Sequence, residues 1–101
     1  MIVYNTTYHV ELPDARNFVT WVDTYLIPEV EKTGMLMNPR LTRILTHKEH
    51  DSECFSMQWE AESLGMLQKF HTQYSPRITQ ELNKVFKNKV LGFDTLMEVV
   101  R

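Results

Sequence analysis

Phe55-Ser56-Met57-Gln58-Trp59-Glu60 is the stretch around which the rest of the chain is arranged. Its alternation puts Phe55, Met57 and Trp59 on one side and Ser56, Gln58 and Glu60 on the other, the pattern of a strand with one core face and one polar face. Three further apolar runs fit beside it. Residues 2–12 set Ile2, Tyr4, Tyr8, Val10 and Leu12 against Asn5, Thr7, His9 and Glu11, and their β-branched and aromatic content predicts a first strand. Met35 to His47 is strand-like through Leu41, Ile44 and Leu45, but Pro39 cannot donate to a ladder, so this strand is expected at an edge or with a bulge. Lys48 to Ser52 suits a short hairpin loop. The last strand is expected from Val90 to Val100, with Leu91, Phe93, Met97 and Val99 alternating against Asp94 and Glu98.

Helical periodicity fills the gaps. Phe18, Trp21, Val22, Tyr25 and Leu26 form a stripe from about Ala15, with Asp14 as the expected cap. Pro28 predicts a kink or break near Tyr25 to Ile27, then a short turn through Val30, with Gly34 past the end at positive φ. Ser63 is the expected cap of a second helix bearing Leu64, Leu67, Phe70 and Tyr74. Ser75-Pro76 interrupts it, and Pro76 opens a continuation with Ile78, Leu82, Val85 and Phe86 that ends at Asn88 or Lys89. The order βαββαβ, with right-handed crossovers, predicts an α+β ferredoxin-like plait: one domain over 1–101, a four-stranded antiparallel sheet of order 4-1-3-2, and two helices on one face.

At 101 residues, 43% hydrophobic and 24% charged, the chain can bury a single core. Eleven basic residues against thirteen acidic ones leave a net charge of −2, which disfavours nucleic acid and anionic membranes as partners. One cysteine, Cys54, precludes an internal disulfide and suits a reducing compartment. No signal peptide or membrane span is expected, so the expected location is cytoplasmic. Glu53 to Trp59 lacks the basic residue and glycine of an RNA-recognition strand, and no glycine loop is placed to cradle a nucleotide. The six methionines read as fillers of core gaps.

A plait covers one face of its sheet. Tyr4, Tyr8 and Val10, Phe55, Met57 and Trp59, and Leu91, Phe93 and Met97 are expected beneath the helices. The open face then carries Val3, Asn5, Thr7 and His9, Ser56, Gln58 and Glu60, and Asp94, Leu96, Glu98 and Val100, with either Arg40 or Arg43 joining them. That face either meets water or pairs with a second copy around a partly polar cavity. Its ligand-binding candidates are Asn5, His9, Gln58 and Asp94 with Arg40 or Arg43. His9 supplies an acid or base near neutral pH, and an arginine can hold a carboxylate. His47, His50, Asp51, Glu53 and Cys54 cluster about the hairpin and mix imidazole, carboxylate and thiol. Without a C-x-x-C or H-E-x-x-H spacing they read as a solvated tip, and neither a metal nor another cofactor is expected.

Trp59-Glu60-Ala61-Glu62-Ser63-Leu64-Gly65-Met66-Leu67-Gln68-Lys69-Phe70-His71 resembles the third strand and second helix of dimeric α/β-barrel proteins, and the Pro28 to Gly34 spacing is similar too. The whole chain further resembles a family of short bacterial proteins of unassigned function, through Met1-Ile2-Val3-Tyr4-Asn5, Ile27-Pro28-Glu29-Val30 with Thr33-Gly34, Ala61-Glu62-Ser63-Leu64 and Ser75-Pro76-Arg77. The resemblance implies the plait and a homodimer formed through the sheets. Some members of the superfamily are metal-free monooxygenases and some degrade haem, and Asn5 and Trp59 are similar in type and location to parts of such sites. The chain departs from the haem-degrading pattern, with Gln68 and Ile78 where that pattern has Trp and His; His71 stands elsewhere in the helix, beside the apolar stripe. Three readings follow. One is a homodimer that binds a small molecule or partner at the sheet face. Another is a small cofactor-independent enzyme, monooxygenase- or isomerase-like, that uses His9 or His71 near Asn5 and Trp59. The last is a structural or regulatory dimer without a ligand.

Overall fold

The computed structural model describes residues 1–101. Its elements are β1 (Ile2–Glu11), a 3-10 turn (Leu12–Asp14), α1 (Ala15–Trp21), a π-helical turn (Val22–Leu26), α2 (Ile27–Thr33), β2 (Met37–Arg43), β3 (Ser52–Ala61), α3 (Leu64–Gln73), α4 (Ser75–Phe86) and β4 (Val90–Glu98). The sheet runs β2-β3-β1-β4, which is the expected 4-1-3-2 plait read from the other edge, and every neighbouring pair is antiparallel. Each of the two expected helices occurs as two α-helical segments, and both pack on the face that carries Tyr4, Tyr8 and Val10 with Phe55, Met57 and Trp59. Phe18 is the pivot of this core. Fully buried, its ring meets Tyr8, Trp21, Phe55 and Phe86 at centroid separations of 4.9 to 6.3 Å. Burial of one such side chain stabilises the fold by roughly 1.5–3 kcal/mol.

Proline acts on the first helix by widening it. The Pro28 ring would strike the carbonyl four residues back in a regular α-helix. The π-turn relieves this, with the Ile27 N–H reaching back five residues to the Val22 carbonyl, and helix continues through Val30 to Thr33 where a short turn was expected. Gly34 then ends it at φ 67°. Asp14 does not cap α1. Its backbone is already helical, its side chain makes no capping bond, and the preceding 3-10 turn takes the Ala15 N–H. Ser63 does cap α3, accepting from the Met66 N–H at 3.1 Å. Pro76 sits in the first turn of α4, which ends at Phe86 with Lys87 at φ 54°.

At Pro39 the edge strand bulges: three steps from Met37 to Arg40 oppose two from Glu60 to Gln58, with Asn38 at φ 54°. The extra residue settles the parity of β2. Arg40 and Thr42 face the open side, whereas Leu41 and Arg43 face the helices, where the Arg43 guanidinium lies 5.4 Å from the Phe55 ring centroid and pairs with Glu53 at 3.3 Å.

The last strand differs from expectation in a way that changes both faces. Tyr8 pairs with Gly92 and Thr6 with Asp94, so Gly92, Asp94, Leu96 and Glu98 lie on the helix side, while Leu91, Phe93, Thr95 and Met97 lie on the open face. The reason is steric and polar. A Cβ at position 92 would come within 3.1 Å of the Tyr8 ring and 3.2 Å of Thr6, so any larger residue would press on that ring. The Thr6 hydroxyl then donates to Asp94 at 2.9 Å and holds the register. The alternation of β4 points the other way, since Leu91, Phe93 and Met97 turn outward and Asp94 and Glu98 inward, so the contacts with β1 override it.

Gly92→Val tests this contact. Valine suits strands intrinsically, so overpacking against Tyr8 is what should make the variant less stable, by about 1–3 kcal/mol in urea denaturation. Unchanged stability would show that position 92 has room.

Candidate functional site

Two surfaces hold the candidate residues, and they lie on opposite sides of the sheet. On the helix side, a cleft of about 270 Å³ opens between α4 and strands β1 and β4. Leu26, Val30, Met57, Trp59, Phe70, Ile78 and Leu82 give it an apolar body. Tyr4, Thr6, Tyr8 and Asp94 bring polar groups to it, with Ser75, Thr79 and Asn83 along α4. Its origin is local: Gly92 contributes no side chain to the inner face of β4, and beyond Val90 that strand is exposed. Burial pushes the Tyr4 phenol up from 10.0 to about 12. The Asp94 charge adds to this, and Thr6 pulls the other way. Tyr8 is also raised, by burial first and then by the charges of Tyr4 and Asp94. Near neutral pH both phenols therefore keep their protons and act as donors.

The open face has a polar centre. Asn5, 8% exposed, donates to Thr7 Oγ1 at 3.1 Å and accepts from the Ser56 hydroxyl. Gln58 and Arg40 flank it and line a groove beside the bulge with Asn38, Pro39 and Glu60. Its β4 edge is apolar: Leu91, Phe93 and Met97 are 55%, 63% and 41% exposed.

Of the six ligand-binding candidates, the fold brings Asn5, His9, Arg40 and Gln58 onto the open face. Arg43 and Asp94 lie on the helix side, Arg43 because of the bulge and Asp94 because of its bond to Thr6. The catalytic candidates are divided too. His9 and Asn5 face outward, Trp59 is buried on the helix side, and His71 packs edge-on to Tyr4 at 5.0 Å. Ile78 lines the cleft, while Gln68 is exposed on α3. Sequence reasoning missed Tyr4, Tyr8 and Thr6 as site residues because two were read as core and the third was passed over. The inward threonine between two inward tyrosines was the available signal.

The hairpin cluster is reshaped by the fold. His50 and Asp51 are exposed at the turn, and Glu53 points to the helix side. His47 comes instead against Cys54, with Nδ1 3.3 Å from Sγ, and its Nε2 lies 2.9 Å from Ser52 Oγ. His9, the register partner of Cys54, stacks edge-on to His47 at 5.2 Å. Burial pushes the Cys54 thiol up, with the Glu49 charge adding to it.

The tyrosines set an alkaline limit to stability. Below pH 10 both phenols are neutral in the folded and unfolded chain. As pH rises from 10.0 through about 12 the unfolded chain ionises first, so stability is lost across that window. Tyr4→Phe should remove its share of that loss, roughly 2–3 kcal/mol at the top of the window. Parallel curves for the two proteins in urea unfolding against pH would show that Tyr4 ionises freely.

No helix is long and apolar enough to cross a membrane. No curated protein matches the chain. Among solved structures, an ethyl tert-butyl ether d (ethd) family protein from Bacillus halodurans C-125 is similar, with a TM-score of 0.68 at 17% identity over 99% of this chain and 100% of that one. Two dimeric ferredoxin-like proteins from uncultured marine organisms are also similar. One has a TM-score of 0.64 at 16% identity (98% of this chain, 95% of that one), and the other a TM-score of 0.58 at 13% identity (99% and 95%). At these identities the likeness is one of fold. The family model described as a domain of unknown function, DUF4286, matches residues 1–100, and the chain belongs to that family.

Proposed function

We propose that this protein is a homodimeric binding protein, paired through its open sheet faces, that takes a small neutral or cationic molecule into the cleft beneath α4. The observation that carries the ligand reading is the convergence of Tyr4, Thr6, Tyr8 and Asp94 on one apolar cleft. Small-molecule sites combine an apolar wall with a few placed polar groups and perturbed titration. Two protonated phenols offer donors, and the Asp94 carboxylate favours a ligand N–H or O–H while repelling anions.

Dimerisation is supported by the composition of the open face. Leu91, Phe93 and Met97 form an apolar edge of a kind monomers seldom leave in water. The central Asn5, Thr7 and Ser56 bond to one another, so each keeps a partner when they are covered. The likeness in fold to proteins described as dimeric adds to this reading. The sole cysteine, free in the fold, fits a reducing cytoplasm. A catalytic reading has less support, because His9 with Asn5 and His71 with Trp59 stand on opposite sides of the sheet.

In sedimentation, the wild type should run at twice the 12.0 kDa chain mass, and Phe93→Asp should run as a folded monomer. A monomeric wild type would sink the dimer. For the cleft, a library of small neutral and cationic fragments should yield hits whose affinity falls roughly tenfold in Asp94→Asn and is unchanged in Gln58→Ala. Loss in Gln58→Ala alone, or no hit at all, would count against the cleft.

A further inference from the structure

We propose that His9, His47 and Cys54 form a binding site for a divalent transition-metal ion of the zinc class. Their ligand atoms lie within 4.8 Å of one another. Two imidazoles and a thiolate are donors that zinc and its first-row neighbours favour. With zinc–nitrogen bonds of about 2.0–2.1 Å and zinc–sulfur bonds of about 2.3 Å, a tetrahedral centre sets adjacent ligand atoms about 3.3–3.6 Å apart. Cys54 Sγ and His47 Nδ1, at 3.3 Å, already stand at that spacing.

The surroundings are those of a metal ligand set. His9 and Cys54 are direct partners across β1 and β3, so the sheet fixes the two backbones that carry them. His47 arrives from the β2–β3 connection, and its second ring nitrogen lies 2.9 Å from the hydroxyl of buried Ser52. An acceptor on Nε2–H leaves the Nδ1 lone pair facing the ion and holds the ring in place. Glu49, 3.8 Å from His9 Nε2, puts a carboxylate beside the position of the cation. His9 is 36% exposed, so its ring has room to turn toward the other two ligand atoms. The Cys54 thiol proton leaves to water as the metal–sulfur bond forms. Three protein ligands leave a fourth position open. Sequence spacing conceals the site because one ligand comes from β1 and the other two from the distant hairpin.

The test is cobalt titration of the chelator-stripped full chain, followed by zinc competition against a chromophoric chelator. Wild type should develop a near-ultraviolet thiolate-to-cobalt charge-transfer band that saturates at one ion per chain and is displaced by Zn²⁺. Cys54→Ser should lose the band with its circular dichroism unchanged. His9→Ala and His47→Ala should each weaken zinc about a hundredfold, at least the cost of disturbing an outer-shell partner. His50→Ala and His71→Ala should bind as wild type. Absence of the band in wild type would overturn the proposal. So would unchanged zinc affinity in both His9→Ala and His47→Ala, since Cys54 would then be binding metal without the cluster.

Discussion

The Tyr8 ring fills the space that a side chain at position 92 would need, and Thr6, one pleat away, donates to Asp94. These neighbouring contacts on β1 decide which side of β4 turns inward. Had the strand been paired one residue out of register, Leu91, Phe93 and Met97 would have gone under the helices and Asp94 to the outside. The observed parity removes bulk from the inner face at the sheet edge, which opens the cleft. It also places three large apolar side chains on the uncovered face. The two surfaces with a claim to function therefore share one cause.

β1 is central in the literal sense, bonded to β3 on one side and β4 on the other. Its inward Tyr8 meets Phe18, and through Phe18 it is joined to α1, β3 and the end of α4. Its outward residues, Asn5, Thr7 and His9, form a separate polar line. A strand one residue thick divides the chemistry, because neighbours such as Asn5 and Thr6 cannot serve the same site. That is why a constellation assembled by residue type, such as Asn5 with Trp59, does not assemble in space. It is also why a grouping with no sequence motif, His9 with His47 and Cys54, does.

Backbone irregularities adapt the frame to prolines without breaking it. Pro28 is absorbed by a π-turn and Pro39 by a bulge, and Pro76 begins a new helix after the break at Tyr74. Only the second of these alters a candidate site, since the extra residue at Asn38-Pro39 sends Arg40 to the open face and Arg43 to the helices. A one-residue irregularity thus chose between two arginines equally compatible with the local pattern.

What the sequence determined by itself is what local physics can specify. Strict alternation in Ile2–Glu11 and Ser52–Ala61, helical stripes around Phe18 and Leu67, the Ser63 cap, the Gly34 stop and the edge character imposed by Pro39 together lead to the plait and its strand order. Those signals act within a few residues and point the same way. Asp14 was legible only as a residue type, since capping depends on a backbone conformation that the 3-10 turn denies it. Tertiary structure alone decided the parity of β4, because the strand's own alternation favours the opposite side and the choice rests on Tyr8 and Thr6, more than eighty residues away in the chain. It likewise decided the cleft and the His9, His47 and Cys54 cluster, since a site drawn from separate strands leaves no spacing to read. Periodicity shows that a strand has two faces; only its partner shows which face turns inward.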